Sequence, residues 1–151
     1  FANLNTTVIG PYDKPKTRLP GAGGAPEIAA QVGETIIVMT HDKRAFVEKL
    51  DFITTAGFLD GGDARKRAGF TGKGPIAVIT NLCILTPDPV TRELTVASLH
   101  PGVTREQVQA ATGWDIRFAN DVGVTSAPSE RELTVLRDLL KRTADAHGST
   151  A

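Results

Sequence analysis

Cysteine is nearly absent from the 151-residue chain: Cys83 stands alone, so no intrachain disulfide can form and the usage fits a reducing compartment, with a cytoplasmic location expected. One thiol and three histidines also fall short of the clustered ligands of a structural zinc site, and no metal is expected. Charge of one sign is lacking as well. Lys plus Arg and Asp plus Glu both number 17, which leaves no net field to hold a nucleic-acid backbone or an anionic membrane surface, and neither partner is expected. Long apolar runs are missing. The longest, Ile76 to Leu85, is interrupted by Thr80 and Asn81 and falls short of the ~20 residues of a membrane-spanning helix, so a soluble protein is expected. There is no Gly-x-Ser-x-Gly elbow, phosphate-loop lysine or paired-His metal motif. Nor does the chain open on an initiator Met or a signal-peptide layout; Phe1 comes first, which predicts a processed or truncated chain.

What is present is the composition of one globular domain spanning residues 1–151, with 40% hydrophobic residues to fill a single core. Strand-like and helix-like segments alternate between Gly and Pro punctuation, giving an α/β class: an open, mostly parallel sheet flanked by helices, with an added β-hairpin. Leu4 to Ile9 reads as a strand closed by Gly10-Pro11, and Tyr12 to Leu19 as a loop. Pro26 to Val32 reads as a short helix ended by Gly33. Thr35 to Thr40 is an unbroken β-branched run, the pattern of a strand covered on both faces. Leu50 to Ile53 favours a strand over a helical turn, and Ala56 to Pro75, rich in Gly and basic residues, reads as a mobile excursion. Ile76 to Leu85 and Leu94 to Leu99, joined by Thr86-Pro87-Asp88-Pro89, predict an antiparallel pair appended to the sheet. Thr104 with Gln107 and Ser129 with Glu132 are capping boxes. They open a helix stopped by Gly113 and a C-terminal amphipathic helix striped by Leu133, Leu136, Leu139 and Leu140, with fraying expected over His147 to Ala151.

The strongest local chemical signal is Gly21-Ala22-Gly23-Gly24-Ala25 before a helix start, where backbone N–H groups are open to a ligand oxygen. Equally, a tight loop can need glycine for geometry alone. A dinucleotide fingerprint is disfavoured, because its third glycine would fall at Pro26 and no strand directly precedes Gly21. His41, Asp42, Lys43 and Arg44 follow a buried-type strand, where open α/β sheets place ligands. Lys43 and Arg44 can meet phosphates there, and the alternative is a solvated strand end. Arg65, Lys66, Arg67 and Lys73 are cations within reach of an anion, though such loops are usually only solvated. Cys83 in an apolar strand reads as inert, His100 as structural and Trp114 as a core anchor. These residues do not by themselves define a reaction.

Taken together, Asn3-Leu4-Asn5-Thr6-Thr7, Leu19 to Ala25 (LPGAGGA), Phe46 to Thr54 (FVEKLDFIT) and His100-Pro101-Gly102-Val103-Thr104 resemble the β subunit of class I coenzyme A transferases of the glutaconate and 3-oxoacid type, in order and spacing. The likeness covers nearly the whole chain but only the later part of such a subunit. The HPGVTREQV and ATGW stretches look closest to the IpdB-type subunit of actinobacterial steroid degradation, a ring-opening hydrolase of cholesterol catabolism. The resemblance implies an αβ heteromer, dimer or tetramer, with an active site at the subunit junction. Its substrate would be an acyl-CoA, with coenzyme A belonging to that substrate and no separate cofactor. In the transferases a glutamate attacks the thioester and passes through an anhydride to a glutamyl-CoA. The resemblance assigns Gly23 and Gly24 to oxyanion stabilisation, with Gly21, Ala22 and Ala25 as the rest of the substrate loop and Lys43 and Arg44 as weaker candidates near the CoA phosphates. The family's Glu-Asn-Gly motif has no counterpart here, since Glu27, Glu34 and Glu48 lack that setting. The carboxylate is therefore expected from a missing N-terminal part or, preferred, from the α subunit. The resemblance favours hydrolytic ring opening of a steroid-derived acyl-CoA; the alternatives are a true transferase of the glutaconate or 3-oxoacid type, or a noncatalytic scaffold subunit. A free-standing nucleotide-binding module comes last.

Overall fold

The computed structural model describes residues 1–148, so of the tail expected to fray, 149–151 lie outside the described residues. Val8–Ile9 (β1) and Thr17–Arg18 (β2) pair as a small antiparallel ribbon, so the expected strand shortens to two residues and the loop after it supplies its partner. Ala25–Gln31 (α1) begins with Pro in its first turn, where the missing N–H is unneeded. Thr35–Val38 (β3), Ala64–Arg67 (α2), Pro75–Ile79 (β4), Cys83–Pro87 (β5), Leu94–Leu99 (β6), Arg105–Ala110 (α3), Arg117–Val124 (β7) and Glu130–Ala146 (α4) complete the chain.

Strands β3 to β7 form one open five-stranded sheet in chain order, and the α/β class is borne out. The outer pairs, β3 with β4 and β6 with β7, are parallel, while β4–β5 and β5–β6 are antiparallel. The expected hairpin exists, but it occupies the middle of the sheet. Ile76 to Leu85 is two strands, because the polar pair that interrupts the run makes a turn. The Thr80 hydroxyl oxygen accepts from the N–H of Leu82 at 3.1 Å and of Cys83 at 3.0 Å.

The core gathers Val78, Cys83, Leu85, Leu94 and Val96 from the sheet with Val108 of α3, Ile116 and Phe46. Leu85 and Val96 have no exposed surface, and burial of such side chains contributes about 1.5–3 kcal/mol each. Both capping boxes form as expected, with side chain and backbone satisfied reciprocally at Thr104/Gln107 and Ser129/Glu132.

Three expectations are corrected. β3 is an edge strand covered on one face: Ile36 and Val38 are 57% and 74% exposed while Ile37 and Met39 turn inward. Leu50 to Ile53 forms no strand. The N-terminal segment makes its backbone bonds just beyond it, from Leu4 N–H to Thr55 O at 2.9 Å and from Thr54 N–H to Leu4 O at 2.9 Å, while the Asp51 carboxylate accepts from Gly10 N–H. The basic excursion is tied down by its own charge. The Arg65 side chain is buried, and its guanidinium donates to the carbonyls of Gly72 (2.9 Å), Gly57 (3.1 Å), Ala56 (3.3 Å), Ala29 (2.5 Å) and Ala30 (3.4 Å). No residue of α4 is buried, so its leucine stripe faces outward.

Candidate functional site

Residues 21–25 lie on one loop, and three bonds set its entrance. Gly21 N–H donates to Thr6 O at 2.8 Å, the Thr6 hydroxyl donates to Gly21 O at 2.8 Å, and Thr6 N–H donates to the hydroxyl of buried Thr54 at 2.9 Å. Thr54 in turn shares a 2.7 Å bond with Thr7. The Asn-Leu-Asn-Thr-Thr segment is therefore the loop's anchor. Asn3 extends the same role: its carbonyl oxygen accepts from Gly57 and Leu59 N–H, and its amide donates to Leu59 O. Sequence reasoning assigned Thr6 and Thr54 no role of their own, and the clustering of Thr and Asn in the strand-like start was the available signal.

The glycines of the loop are not equivalent. Gly21 at φ +106° and Gly23 at φ +52° occupy left-handed backbone that favours glycine. Gly24 is at φ −87°, open to any residue, and a Cβ there would meet only Ile28 Cδ1 at 3.9 Å. Neither conformation nor packing demands glycine at 24. The amides of Ala22, Gly23 and Gly24 have no acceptor among the described residues, whereas Ala25 N–H turns back to Ala22 O at 3.2 Å. Ala22, Gly23, Gly24 and Ala25 are exposed, so the loop presents bare amides to solvent.

Lys43 and Arg44 stand exposed on the turn after β3, where the Asp42 carboxylate accepts from the backbone N–H of Arg44. No hydrogen bond or ion pair joins them to the glycine loop among the described residues. Their neighbour His41 is buried. Its ring stacks on Phe46 at 3.8 Å, its Nε2 lies 3.0 Å from the Thr112 hydroxyl, and its Nδ1 lies 3.3 Å from the Thr80 hydroxyl. Because Thr112 spends its proton on Val108 O, Nε2 is the donor in that bond. Burial holds the His41 pKa below its usual value, against the opposing pull of Asp42. Burial likewise pushes the Cys83 thiol up, as an inert core cysteine requires. His100 is structural too, its Nε2 donating to Thr80 O at 2.7 Å. Trp114 stacks near Phe46 and lines an apolar cavity of about 340 Å³ against Ile37 and Met39, which holds none of the glycine loop.

The model of the coenzyme A transferase family matches residues 1–111 of this chain. The chain belongs to the coenzyme A transferase family. It is 60% identical over 148 residues to the B subunit of the 3-oxoadipate CoA-transferase of Pseudomonas knackmussii, covering 98% of this chain and 57% of that protein. The crystal structure of glutaconate coenzyme A-transferase from Acidaminococcus fermentans superimposes with a TM-score of 0.82 at 38% identity, over 90% of this chain and 52% of that one. The IpdB subunit of the cholesterol ring-cleaving hydrolase of Rhodococcus jostii is 30% identical over 143 residues, 91% of this chain and 54% of that one. The family reading holds, and the likeness to the IpdB type is the more distant one. This coenzyme A transferase chain spans about half the length of the relatives it matches.

Proposed function

We propose that the chain is the oxyanion-loop portion of a coenzyme A transferase β subunit of the 3-oxoacid type, acting with an α subunit on an acyl-CoA thioester. The observation that carries this is Gly24: a glycine without conformational or packing need, beside free amides, in a chain 60% identical to the B subunit of a 3-oxoadipate CoA-transferase. When a carboxylate attacks the thioester carbon, the carbonyl oxygen gains negative charge, and amides fixed in advance stabilise that charge more than the ground state. Collapse expels the coenzyme A thiolate and leaves an acyl anhydride. The thiolate then attacks the glutamyl carbonyl, giving glutamyl-CoA and freeing the first acid. Gly23 and Gly24 supply the oxyanion donors, with Gly21, Ala22 and Ala25 framing them.

The attacking carboxylate comes from outside these 151 residues. Glu34 is paired with Lys73 at 2.7 Å, Glu48 lines the apolar cavity away from the loop, and Glu27, though close to the loop in the first turn of α1, lacks the family's Glu-Asn-Gly setting. The steroid-ring hydrolase reading draws on relatives of only 28–30% identity and ranks second.

The test assembles the chain with its α subunit and follows coenzyme A exchange between an acyl-CoA and a free carboxylic acid. The acceptor acid stimulates turnover in a transferase; release of free acid without an acceptor identifies the hydrolase. Gly24→Val should keep assembly, because φ is negative and a Cβ there meets only Ile28 Cδ1 at 3.9 Å, and should lower turnover by about 10²-fold or more. Full turnover in a well-assembled Gly24→Val enzyme would sink the oxyanion role.

A further inference from the structure

A second cavity, of about 510 Å³, opens between α2, the segment Phe70–Lys73 and the turn joining β5 to β6, within the size range of small-molecule sites. We propose that it holds the phosphorylated, adenosine-bearing end of the acyl-CoA, with Lys66 and Arg92 meeting the phosphates and the charge of Arg65 behind them. This rests on the acyl-CoA reading above and adds a place for the part of the substrate remote from the reacting carbonyl.

The charge balance of the wall carries the inference. Asp63 is engaged by Arg67, and Lys73 by Glu34. Arg65, Lys66 and Arg92 have no carboxylate partner among the described residues. Arg65 is a buried cation whose N–H groups are all spent on carbonyls, so it offers an anion its field in a low-dielectric wall and no hydrogen bond. Arg92 supplies the donors. Its backbone sits at φ +66°, a conformation costly for an ordinary side chain and free to glycine, and its guanidinium stands 5.3 Å over the Phe58 ring at the cavity wall. Retaining arginine where the backbone favours glycine fits a side chain needed at that place.

The location agrees with the substrate's length. Arg65 grips the carbonyls of Ala29 and Ala30 near the C-terminal end of α1, whereas the glycine loop lies at its N-terminal end. The helix between them is about 10 Å long, so the cavity and the glycine loop stand apart, as a phosphate end and a thioester on one elongated substrate must.

The experiment titrates adenosine 3′,5′-bisphosphate into the full chain by calorimetry. Saturable binding is expected, weakened about tenfold or more by Arg92→Gly combined with Lys66→Glu. Arg92→Gly relaxes the backbone, so loss of binding there does not reflect misfolding. Lys141→Glu, on the exposed α4, controls for bulk charge and should bind as the unmodified chain does. No saturable binding, equal binding by the double variant, or an equal loss in Lys141→Glu overturns the site. Bisphosphate binding lost in the double variant, in a chain whose assembled enzyme turns over no acyl-CoA, keeps the cavity as a phosphonucleotide site and removes the enzymatic reading. Acyl-CoA turnover without bisphosphate binding does the reverse.

Discussion

Replacing Arg65 by Met removes five guanidinium contacts to backbone carbonyls while keeping a long apolar stem of similar reach. Three of those contacts, to Ala29, Gly72 and Gly57, lie at 2.5, 2.9 and 3.1 Å; the other two, at 3.3 and 3.4 Å, are weaker. A hydrogen bond to a charged donor contributes about 1.5–3 kcal/mol, and a carbonyl left dry costs more than one returned to water. Gly72 cannot easily draw away to let water in, since it is packed so that a Cβ there would lie 1.8 Å from Val32 O. Counting the three strong bonds and allowing partial rehydration, Arg65→Met should lose about 3–5 kcal/mol, a large part of the 5–15 kcal/mol typical of a domain. Arg65→Lys keeps the charge but loses the planar fork, and about 2 kcal/mol is expected. Urea unfolding followed by far-UV circular dichroism gives both values. A loss under about 1 kcal/mol for Arg65→Met would refute the clamp, and with it the view that α1 and the excursion form one rigid unit.

Burial lowers the His41 pKa, so the unfolded chain binds more protons than the folded one in acid. Stability should be fully present above the unfolded value near 6.5 and fall as pH drops below it; His41→Phe, which keeps the stack on Phe46, should flatten that acid slope in pH-dependent urea midpoints, and an unchanged slope would assign it elsewhere. Thr6→Val removes the 2.8 Å bond to Gly21 O at a cost of about 0.5–1.5 kcal/mol, and in the assembled enzyme it should lower kcat with little change in KM, because the loop loses its aim rather than its ligand surface. Unaltered kcat would make Thr6 merely structural.

Local rules showed through the sequence where the residues that cause a feature are neighbours. Both capping boxes close as written, because the hydroxyl, the backbone amides and the carboxamide or carboxylate lie within three residues of one another. The glycine loop was legible for the same reason, yet its sequence could not say which glycine the backbone requires; φ separates Gly21 and Gly23 from Gly24. Arg65 was read with Lys66 and Arg67 as one basic run. Successive helical residues point about 100° apart, so three adjacent cations meet three environments: Arg65 a nest of carbonyls, Lys66 a cavity wall, Arg67 the carboxylate of Asp63. The carbonyls come from residues 29 to 72, a convergence that no local window contains.

The error at β3 and the open stripe of α4 share one cause. An apolar pattern records that a segment has a face to cover without saying which atoms cover it. On β3 the pattern is satisfied on the side of Ile37 and Met39, while Ile36 and Val38 on the other side stay mostly exposed. On α4, Leu136, Leu139 and Leu140 are about half exposed in the same way. Isolated helices gain little from propensity, so a 17-residue helix with an open leucine stripe draws its support from a good cap and from i,i+4 pairs such as Arg142 with Asp138 at 3.0 Å. Such pairs stabilise by only a few tenths of a kcal/mol, against about 1.5–3 kcal/mol for each buried leucine. Covering that stripe would therefore change the stability of α4 far more than any contact it now makes, and the open faces of β3 and α4 are where assembly with another surface would be felt first.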